Sequence, residues 1–294
     1  MHWADGFIAV DWGTTNRRAY LIGADGACTR EFEDDKGILS VAANGFEAEV
    51  AAIRDRLGDG PMLLAGMVGS NRGWIEVPYA PCPAGPEELA RRVVRSPDGS
   101  AVLIPGVSYS NGRADVMRGE EVQLLGAVAT GEIAPDCLVC HPGTHNKWVL
   151  MRDSRIQSFR TVMTGELFNL LREKSILSDL LKAEAEPGAA FAAGVDRGLE
   201  GSSLAAELFE VRANVLLGRS EREDAAAFVS GLLIGQDVRV GIGQDNALPI
   251  TVMGRPELTR LYTAALAQAG FVARECDGER AFIAGARKIV ELLQ

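Results

Sequence analysis

The stretch that decides the fold is Phe7–Arg18, which reads FIAVDWGTTNRR. The apolar run Phe7–Val10 predicts a short buried strand, and the glycine-containing sequence after it predicts a turn. The chain then returns as a second strand over Arg17–Ile22, so this stretch predicts a β-hairpin. A third strand is expected around Cys28–Glu33.

The same pattern occurs again later in the chain. The apolar run Cys137–Cys140 is followed by HPGTHNK and then by the apolar run Trp148–Met151. Four pairs of residues match at one offset of 130 without a gap: Gly13 and Gly143, Thr14 and Thr144, Asn16 and Asn146, and Arg17 and Lys147. Two related hairpins, each opening its half of the chain, predict two similar domains that face one another across a cleft. Two ordinary, unrelated hairpin turns are the alternative interpretation.

Turns of this composition are suited to binding a polyphosphate. A glycine allows backbone N–H groups to approach an anion closely, and a threonine hydroxyl adds a further donor. We therefore expect one polyphosphate to bind at two turns, whose residues are Gly13, Thr14 and Thr15 in the first and Gly143 and Thr144 in the second.

Asp11 ends the first predicted strand, directly before the first turn. A carboxylate beside phosphates requires a cation between the two anions, so Asp11 is the expected site of Mg²⁺, held partly through water. An aspartate that only caps the turn is the alternative. The repeat places His141 at the equivalent position, so the metal site depends on Asp11 alone.

Basic residues follow both turns. A positive charge beside a polyphosphate would neutralise charge in the transition state of phosphoryl transfer. Side chains alternate along a strand, so Arg17 and Arg18 cannot both face the cleft. The match to Lys147 favours Arg17 as the catalytic arginine and Lys147 as its counterpart at the second turn, while a solvated arginine is the alternative.

A helix is predicted over Val116–Ala129, linking the two halves. Glu121 falls within the apolar stripe of this helix, and a semi-buried carboxylate has a raised pKa that suits a general base. Glu120 points about 100° away. Both glutamates remain candidates for the catalytic base, and an acidic first turn that only stabilises the helix dipole is the alternative.

Two further polar segments are candidate ligand contacts. Gly66–Trp74 is a glycine-rich loop after a strand, and its serine, asparagine and tryptophan suit a polyhydroxylated ligand. Phe159–Glu166 precedes a helix, and Arg160 in this segment could bind a carboxylate in bidentate fashion.

Helices alternate with strands through the chain, which predicts an α/β protein. We expect an N-terminal α/β domain over residues 1–131 and a C-terminal α/β domain over residues 132–294. The predicted helices are Gly45–Leu57, Pro86–Val94, Leu167–Leu181, Ser203–Leu208, Glu221–Val238, one that begins at Pro256, and Glu279–Leu293; the further predicted strands are Pro61–Ala65, Ala101–Ile104 and Pro249–Met253.

Composition limits the classes of partner. The 294 residues carry a formal net charge of −10, which argues against an extended nucleic-acid surface. The first residues lack the basic and apolar regions of a secretory signal, and no run reaches the ~18 apolar residues of a membrane helix. We expect a cytoplasmic protein without a membrane or nucleic-acid partner.

These motifs together resemble the 2-dehydro-3-deoxygalactonokinase family of the superfamily that contains sugar kinases, heat-shock ATPases and actin. The resemblance covers nearly the whole chain. The segments that carry it are Asp11–Asn16, Ala65–Asn71, Met117–Glu121, Pro142–Trp148, Phe159–Leu167, Leu208–Ala213 and Ser230–Gly235, with Gly254–Glu257 resembling the adenosine-binding segment of the superfamily.

This resemblance implies a two-domain actin-like ATPase fold, a duplicated ribonuclease H-like architecture with its active site in the interdomain cleft. It implies ATP-dependent phosphorylation of 2-dehydro-3-deoxy-D-galactonate to the 6-phosphate, in galactonate catabolism, with Mg²⁺. The superfamily's catalytic acid corresponds to Glu120, and adenine is expected near Gly254. The sugar acid is expected to contact Ser70, Asn71, Trp74 and either Arg118 or Arg160.

Other functions remain open. A related sugar-acid kinase, such as one acting on 2-keto-3-deoxygluconate, would use the same residues, and a phosphohydrolase of the same fold would transfer phosphate to water. A non-catalytic assembly or sensor protein is a third class. A homodimer is compatible with all of these.

Overall fold

The computed structural model describes residues 2–243 and 247–294. The chain divides into two compact units. The first unit comprises the chain up to Pro135 together with Met151–Ser158 and Gly278–Gln294, and the second unit comprises Asp136–Leu150 and Phe159–Asp277. The second unit is therefore inserted into the first, and the domain boundary predicted at residues 131/132 stays a prediction.

The elements before Pro135 all belong to the first unit. They are β1 (Gly6–Trp12), β2 (Arg17–Gly23), β3 (Cys28–Asp34), α1 (Phe46–Leu57), β4 (Met62–Gly66), β5 (Ala80–Pro81), α2 (Pro86–Ala90), β6 (Val94–Arg95), β7 (Ala101–Leu103), β8 (Val107–Tyr109), β9 (Asp115–Met117) and α3 (Glu120–Ala129).

The remaining elements follow in chain order. They are β10 (Cys137–His141), β11 (Asn146–Arg152), β12 (Arg155–Val162), α4 (Thr164–Lys174), α5 (Ala189–Glu200), α6 (Leu204–Leu216), α7 (Ala225–Ile242), β13 (Ile250–Met253), α8 (Pro256–Gln268), β14 (Ala273–Cys276) and α9 (Gly278–Glu291).

The main sheet of the first unit has the strand order β3-β2-β1-β4-β7-β6. The predicted hairpin is present, because β1 and β2 pair antiparallel with Trp12 opposite Arg17 and Asp11 opposite Arg18. Strand β4 then pairs parallel to β1, and β7 pairs parallel to β4. Strands β5, β8 and β9 form a separate small sheet.

The sheet of the second unit repeats this arrangement. Its order is β12-β11-β10-β13-β14, in which β13 is parallel to β10 and β14 is parallel to β13. Both sheets therefore place the hairpin strands on one side of the first strand and two parallel strands on the other. The repeat seen in the sequence is a repeat of topology, and the predicted α/β class is confirmed.

The central strands of the first sheet are apolar and buried. The apolar residues of β1 and β4 are almost completely buried, because helices or loops cover the sheet around them. One apolar core gathers around Trp12, Phe46 and Ile53, and a second gathers around Trp148, Phe191 and Leu266.

Glycines permit the closest helix contacts. In the first unit, α3 packs against α9, where a Cβ on Gly126 would lie 1.9 Å from the Ala281 carbonyl oxygen and one on Gly285 would lie 2.0 Å from that of Val122. In the second unit, α5 packs against α7 through Gly194 and Gly231 in the same way. The helix predicted to link the two halves is α3, which lies within the first unit.

Five predicted helices are wrong in their limits. The helix predicted over Ser203–Leu208 extends to Leu216, and the helix predicted over Glu221–Val238 spans Ala225–Ile242. The helix predicted over Pro86–Val94 ends at Ala90, and its last residue enters β6. The helix predicted over Val116–Ala129 begins at Glu120, because Asp115–Met117 pairs with β8 as a strand. The helix predicted over Leu167–Leu181 spans Thr164–Lys174.

Helix α7 is long and apolar enough to cross a membrane by length and composition alone. However, 67% of the qualifying window is buried inside the protein. Its apolar residues pack against α5 and the sheet of the second unit, which accounts for its composition.

Candidate active site

Asp11 lies near the end of β1, at the centre of an acidic cluster in the first unit. Its register partner on β2 is Arg18, so the two side chains share one face of the sheet. The amide Nε2 of Gln123 donates to its Oδ2 at 3.5 Å, and Glu120 lies close enough to affect its titration. Asp11 is thus surrounded by groups from β2 and from the start of α3.

Two glycines let the backbone come close to this carboxylate. Gly66 ends β4 with φ 89°, and Gly119 precedes α3 with φ 114°, conformations that favour glycine. A Cβ on Gly66 would lie 3.3 Å from Asp11 Oδ1, and one on Gly119 would lie 3.9 Å from the same atom. The backbone therefore approaches Asp11 from two sides without a side chain between them.

Glu120 and Glu121 open α3 in different surroundings. Glu120 is half-buried, and its Oε2 accepts the Arg118 N–H at 3.2 Å. Glu121 is 0% exposed; its Oε2 accepts the Gly119 N–H at 2.7 Å, while its Oε1 is buried without a partner in the described part of the chain. Glu121 therefore fixes the backbone that precedes Glu120.

Burial and like charge raise two pKa values in this cluster. Burial, and secondly the charge of Glu120, raise the pKa of Asp11 to about 6, although Arg18 opposes this shift. Burial, with a smaller contribution from Glu120, raises the pKa of Glu121 to about 8. Glu121 is consequently protonated at neutral pH, whereas Asp11 ionises near it.

The cluster fits a magnesium ion. Within residues 2–243 and 247–294 no group of three or more histidine, cysteine or acidic side chains is placed to hold a metal. Mg²⁺ retains several waters and commonly uses one or two protein carboxylates together with substrate phosphates. Asp11 is a buried carboxylate beside the negative charge of Glu120, so a cation bound here would compensate both charges.

Arg17 and Arg18 lie on opposite faces of β2. Arg17 is 2% exposed, with its guanidinium bonded to Asp34 and Glu49 and lying 5.1 Å from the Trp12 ring centroid. Arg18 pairs with Glu33 at 3.1 Å and with Glu279, on the face that carries Asp11. The structure brings Arg18, and not the Arg17 expected from the sequence, to the acidic cluster.

The first glycine turn, residues 13–16, is braced from one side. The carbonyls of Gly13, Thr14 and Thr15 accept hydrogen bonds from the backbone of the segment Gly37–Leu39. Both threonines are exposed, and no acceptor for their backbone amides is found in the parts of the chain that the structure describes. The turn therefore presents N–H groups and hydroxyls to solvent.

The second turn, residues 142–145, is braced by the start of α4. The Glu166 N–H donates to the Thr144 carbonyl at 2.9 Å, and a Cβ on Gly165 would lie 2.4 Å from the Gly143 carbonyl oxygen. A Cβ on Gly143 itself would meet no atom within 4 Å. Lys147 is buried at 5% exposure, with its Nζ 3.4 Å from the His145 carbonyl.

A cavity of about 400 Å³ adjoins this second turn. Gly143 and Thr144 form part of its wall, and the remaining wall comes from α4, α7, α8 and the segment 183–186. Gly254 lies beside the turn, since a Cβ there would be 3.4 Å from the Pro142 carbonyl oxygen. The second unit thus combines a glycine turn with an adjacent cavity of ligand size.

A buried carboxylate that sequence reasoning missed lies beneath this cavity. Asp237 on α7 is 0% exposed and accepts hydrogen bonds from Asn146, Trp148, Thr164 and Tyr262. Burial raises its pKa, although these hydrogen bonds oppose the shift. A polar residue within the apolar pattern of α7 was the only signal in the sequence.

The residues expected to contact the sugar acid are separated into different environments. Ser70 is buried, with its Oγ donating to the Met67 carbonyl at 2.7 Å, and Asn71 is exposed. Trp74 packs against the apolar core of the first unit. Arg118 is 9% exposed, lies 4.3 Å from the Tyr79 ring centroid and donates to the Val77 carbonyl at 2.7 Å. Arg160 is exposed on β12 in the second unit.

Comparisons with known proteins show the family of this chain. The sequence model of the 2-keto-3-deoxy-galactonokinase family matches residues 11–289. The chain is 38% identical over 289 residues to 2-dehydro-3-deoxygalactonokinase of Escherichia coli (strain K12), covering 96% of this chain and 97% of that protein.

Solved structures give the same result. A crystal structure from Sinorhizobium meliloti, described as that of a candidate 2-dehydro-3-deoxygalactonokinase, has a TM-score of 0.90 and 35% identity, covering 97% of this chain and 98% of its own. Component A of (R)-2-hydroxyglutaryl-CoA dehydratase from Acidaminococcus fermentans shares the fold alone, with a TM-score of 0.54 and 12% identity over 98% of this chain and 99% of its own. This chain, with its two repeated α/β sheets, belongs to the 2-keto-3-deoxy-galactonokinase family.

Proposed function

We propose that this protein catalyses ATP-dependent phosphorylation of 2-dehydro-3-deoxy-D-galactonate on its terminal hydroxyl, giving the 6-phosphate. Membership of the family, over nearly the whole chain, is the observation that carries this proposal. The arrangement of polar groups in each unit supports it, because one unit holds an acidic cluster and the other a glycine turn beside a cavity.

Glu120 is the group proposed to accept the proton of the attacking hydroxyl. It is half-buried beside Asp11, whereas Glu121 is enclosed and protonated. A carboxylate that remains accessible can orient a hydroxyl and accept its proton, as general-base catalysis requires. Glu121 acts through Gly119, whose N–H it holds, and is therefore a positioning residue.

The nucleotide is proposed to bind to the second unit. Phosphate oxygens would accept hydrogen bonds from the turn that contains Gly143 and Thr144, and the adenosine moiety would occupy the cavity bordered by the start of α8, near Gly254. Lys147, which follows this turn, would contribute positive charge, while the exposed amides of Thr14 and Thr15 in the first turn are donors of the same kind.

Asp11 would hold Mg²⁺ through water, and Arg18 is the basic residue proposed to compensate charge near it. When bound, Mg²⁺ neutralises negative charge on the phosphates. The contribution of the chain's own residues is mainly orientation and charge compensation.

Two arginines are proposed for recognition of the substrate carboxylate, and Arg118 is favoured over Arg160. Nε and Nη1 of Arg118 are buried without a partner in the described part of the chain, so this guanidinium retains donor capacity. Ser70 and Asn71 lie on the loop next to it, as a Cβ on Gly69 would be 3.0 Å from Arg118 Nη1.

We further propose that the enzyme acts in the cytoplasm. We also propose that it forms a homodimer, which light scattering would test.

The test is release of ADP from MgATP with a panel of 2-dehydro-3-deoxy sugar acids and a control without acceptor. We expect turnover with the galactonate, less with the gluconate epimer, and little without acceptor. Phosphate release that is independent of any acid, or an absence of turnover with every acid, would contradict the proposal.

A further inference from the structure

The buried carboxylate of Asp237 lies where four elements of the second unit meet. Its two oxygens receive five hydrogen bonds: both oxygens accept from Asn146 Nδ2 at 2.9 Å, Oδ1 accepts from Trp148 Nε1 at 2.7 Å, and Oδ2 accepts from the hydroxyls of Thr164 and Tyr262 at 2.5 Å. No ion pair to Asp237 is found among the described residues. An isolated buried carboxylate is costly unless donors satisfy it, and here donors surround it.

These donors come from the structures that surround the proposed nucleotide site. Asn146 directly follows the turn 142–145, and Thr164 is the first residue of α4, which braces that turn through Gly165 and Glu166. Thr164 and Tyr262 also form part of the cavity wall. Asp237 therefore holds the strand that follows the turn, the start of the helix that braces the turn, and two points of the cavity wall.

A carboxylate is specifically suited to this position. It can accept all five hydrogen bonds, whereas an amide has one acceptor oxygen and would direct its own NH₂ group at neighbouring donors. Replacing Asp237 with asparagine would leave buried donors unsatisfied and allow the turn and the start of α4 to move.

We propose that Asp237 is a positioning residue for nucleotide binding, which holds the turn 142–145 and the adjoining cavity wall in the geometry that receives MgATP. This inference rests on the proposed function. Asp237 itself would not contact the nucleotide, but it would hold in place the residues that do.

The test compares Asp237→Asn with the wild type by calorimetric titration of MgATP, by KM for both substrates and by thermal unfolding. We expect the Kd and KM for MgATP to rise about tenfold or more, which is the effect of one buried unsatisfied donor group expressed as affinity. The KM for the sugar acid should stay close to the wild-type value, because the side chains that donate to Asp237 all belong to the second unit.

Thr259→Val is the matched control. Thr259 is also buried on α8, one turn before Tyr262, and its hydroxyl donates to Glu275 Oε2 at 2.6 Å instead of to Asp237. This variant should lose thermal stability and keep the wild-type Kd for MgATP. An equal rise in Kd for Thr259→Val and Asp237→Asn would show that loosening of α8 alone is responsible and would overturn the inference.

Tyr262→Phe provides a second variant should Asp237→Asn not fold. It removes one donor to Asp237 and retains the aromatic ring, so we expect a smaller rise in the Kd for MgATP at nearly normal stability. If the wild-type protein binds MgATP and every folded variant has an unchanged Kd, the inference is overturned while the proposed function is not. A wild-type protein that neither binds MgATP nor phosphorylates a sugar acid would instead contradict the proposed function.

Discussion

Glu120 and Glu121 are adjacent in the chain, yet their substitutions should have different effects. For Glu120→Gln we expect kcat to fall about a hundredfold or more, because an amide cannot accept the hydroxyl proton. For Glu121→Gln we expect a kcat near the wild-type value at pH 7, because Glu121 is already protonated there. Steady-state kinetics at saturating MgATP would check both.

The affinity for MgATP is the control for the comparison of Glu120→Gln with Glu121→Gln, and it should be the same in both variants. Normal kcat in Glu120→Gln combined with a large loss in Glu121→Gln would reverse the two roles.

The raised pKa of Glu121 should make stability depend on pH. Between its usual value of 4.5 and its folded value of about 8, the unfolded chain releases this proton while the folded chain keeps it. Raising the pH through this range therefore favours unfolding, by up to about 1.4 kcal/mol per pH unit for one proton.

Glu121→Gln should lack this contribution. The difference in free energy of unfolding between the two proteins, measured by urea denaturation from pH 5 to pH 8, should shift in favour of the variant as the pH rises. A constant difference would show that Glu121 titrates normally.

Single positions also mark where sequence reasoning fails. The burial of Glu121 follows from its place in an apolar stripe and is confirmed. The choice of Arg17 depended on matching it to Lys147 at an offset of 130. However, the strands that border the two turns begin at Arg17 and Asn146, an offset of 129. Because side chains alternate, a shift of one residue moves the selected arginine to the other face of the sheet.

At the scale of elements, the turn 142–145 and α4 should respond differently to an added methyl group. Gly143→Ala places its methyl in open space, so we expect normal stability and a Kd for MgATP raised at least about tenfold. Gly165→Ala drives its methyl into the Gly143 carbonyl and should cost about 1–3 kcal/mol of stability.

Thermal unfolding and nucleotide titration of these two variants would check the prediction. Gly143→Ala with unchanged affinity would place the phosphates elsewhere than on this turn.

Elements whose own residues show a clear hydrophobic pattern could be predicted from the sequence. Element limits that depend on pairing with a distant segment could not. The hairpin β1–β2 follows from an apolar run before a glycine-containing turn, and helix α1 follows from apolar residues at spacings of three and four. The start of α3 does not, because residues 115–117 pair with β8 and Gly119 has a positive φ. Pairing between segments overrides the helical pattern at that point.

For the whole molecule, the contact of α3 with α9 joins segments that are far apart in the chain. Gly285→Val would force a side chain into the Val122 carbonyl and should destabilise the first unit by about 1–3 kcal/mol. Because Glu120 opens α3, we also expect a lower kcat. Lys288→Ala, which removes only a surface pair with Glu291, is the control and should change stability little.

Denaturation curves and kcat of both variants test this dependence. A fully stable and active Gly285→Val protein would show that α3 tolerates displacement from α9.

The same long-range dependence explains why Asp237 could not be recognised from the sequence. Its partners come from β11, from the start of α4 and from α8, at separations of 25 to 91 residues. A single sequence shows an acidic residue in an apolar helix, and only the folded chain shows that donors converge on it.

The insertion of the second unit within the first has a consequence for synthesis on the ribosome. Helix α9 is made after the whole of the second unit, yet it is the helix against which α3 packs. Domains fold largely in the order of their emergence. The second unit can therefore assemble before the first unit is complete. A nascent chain would acquire the final form of its acidic cluster only after α9 has been synthesised.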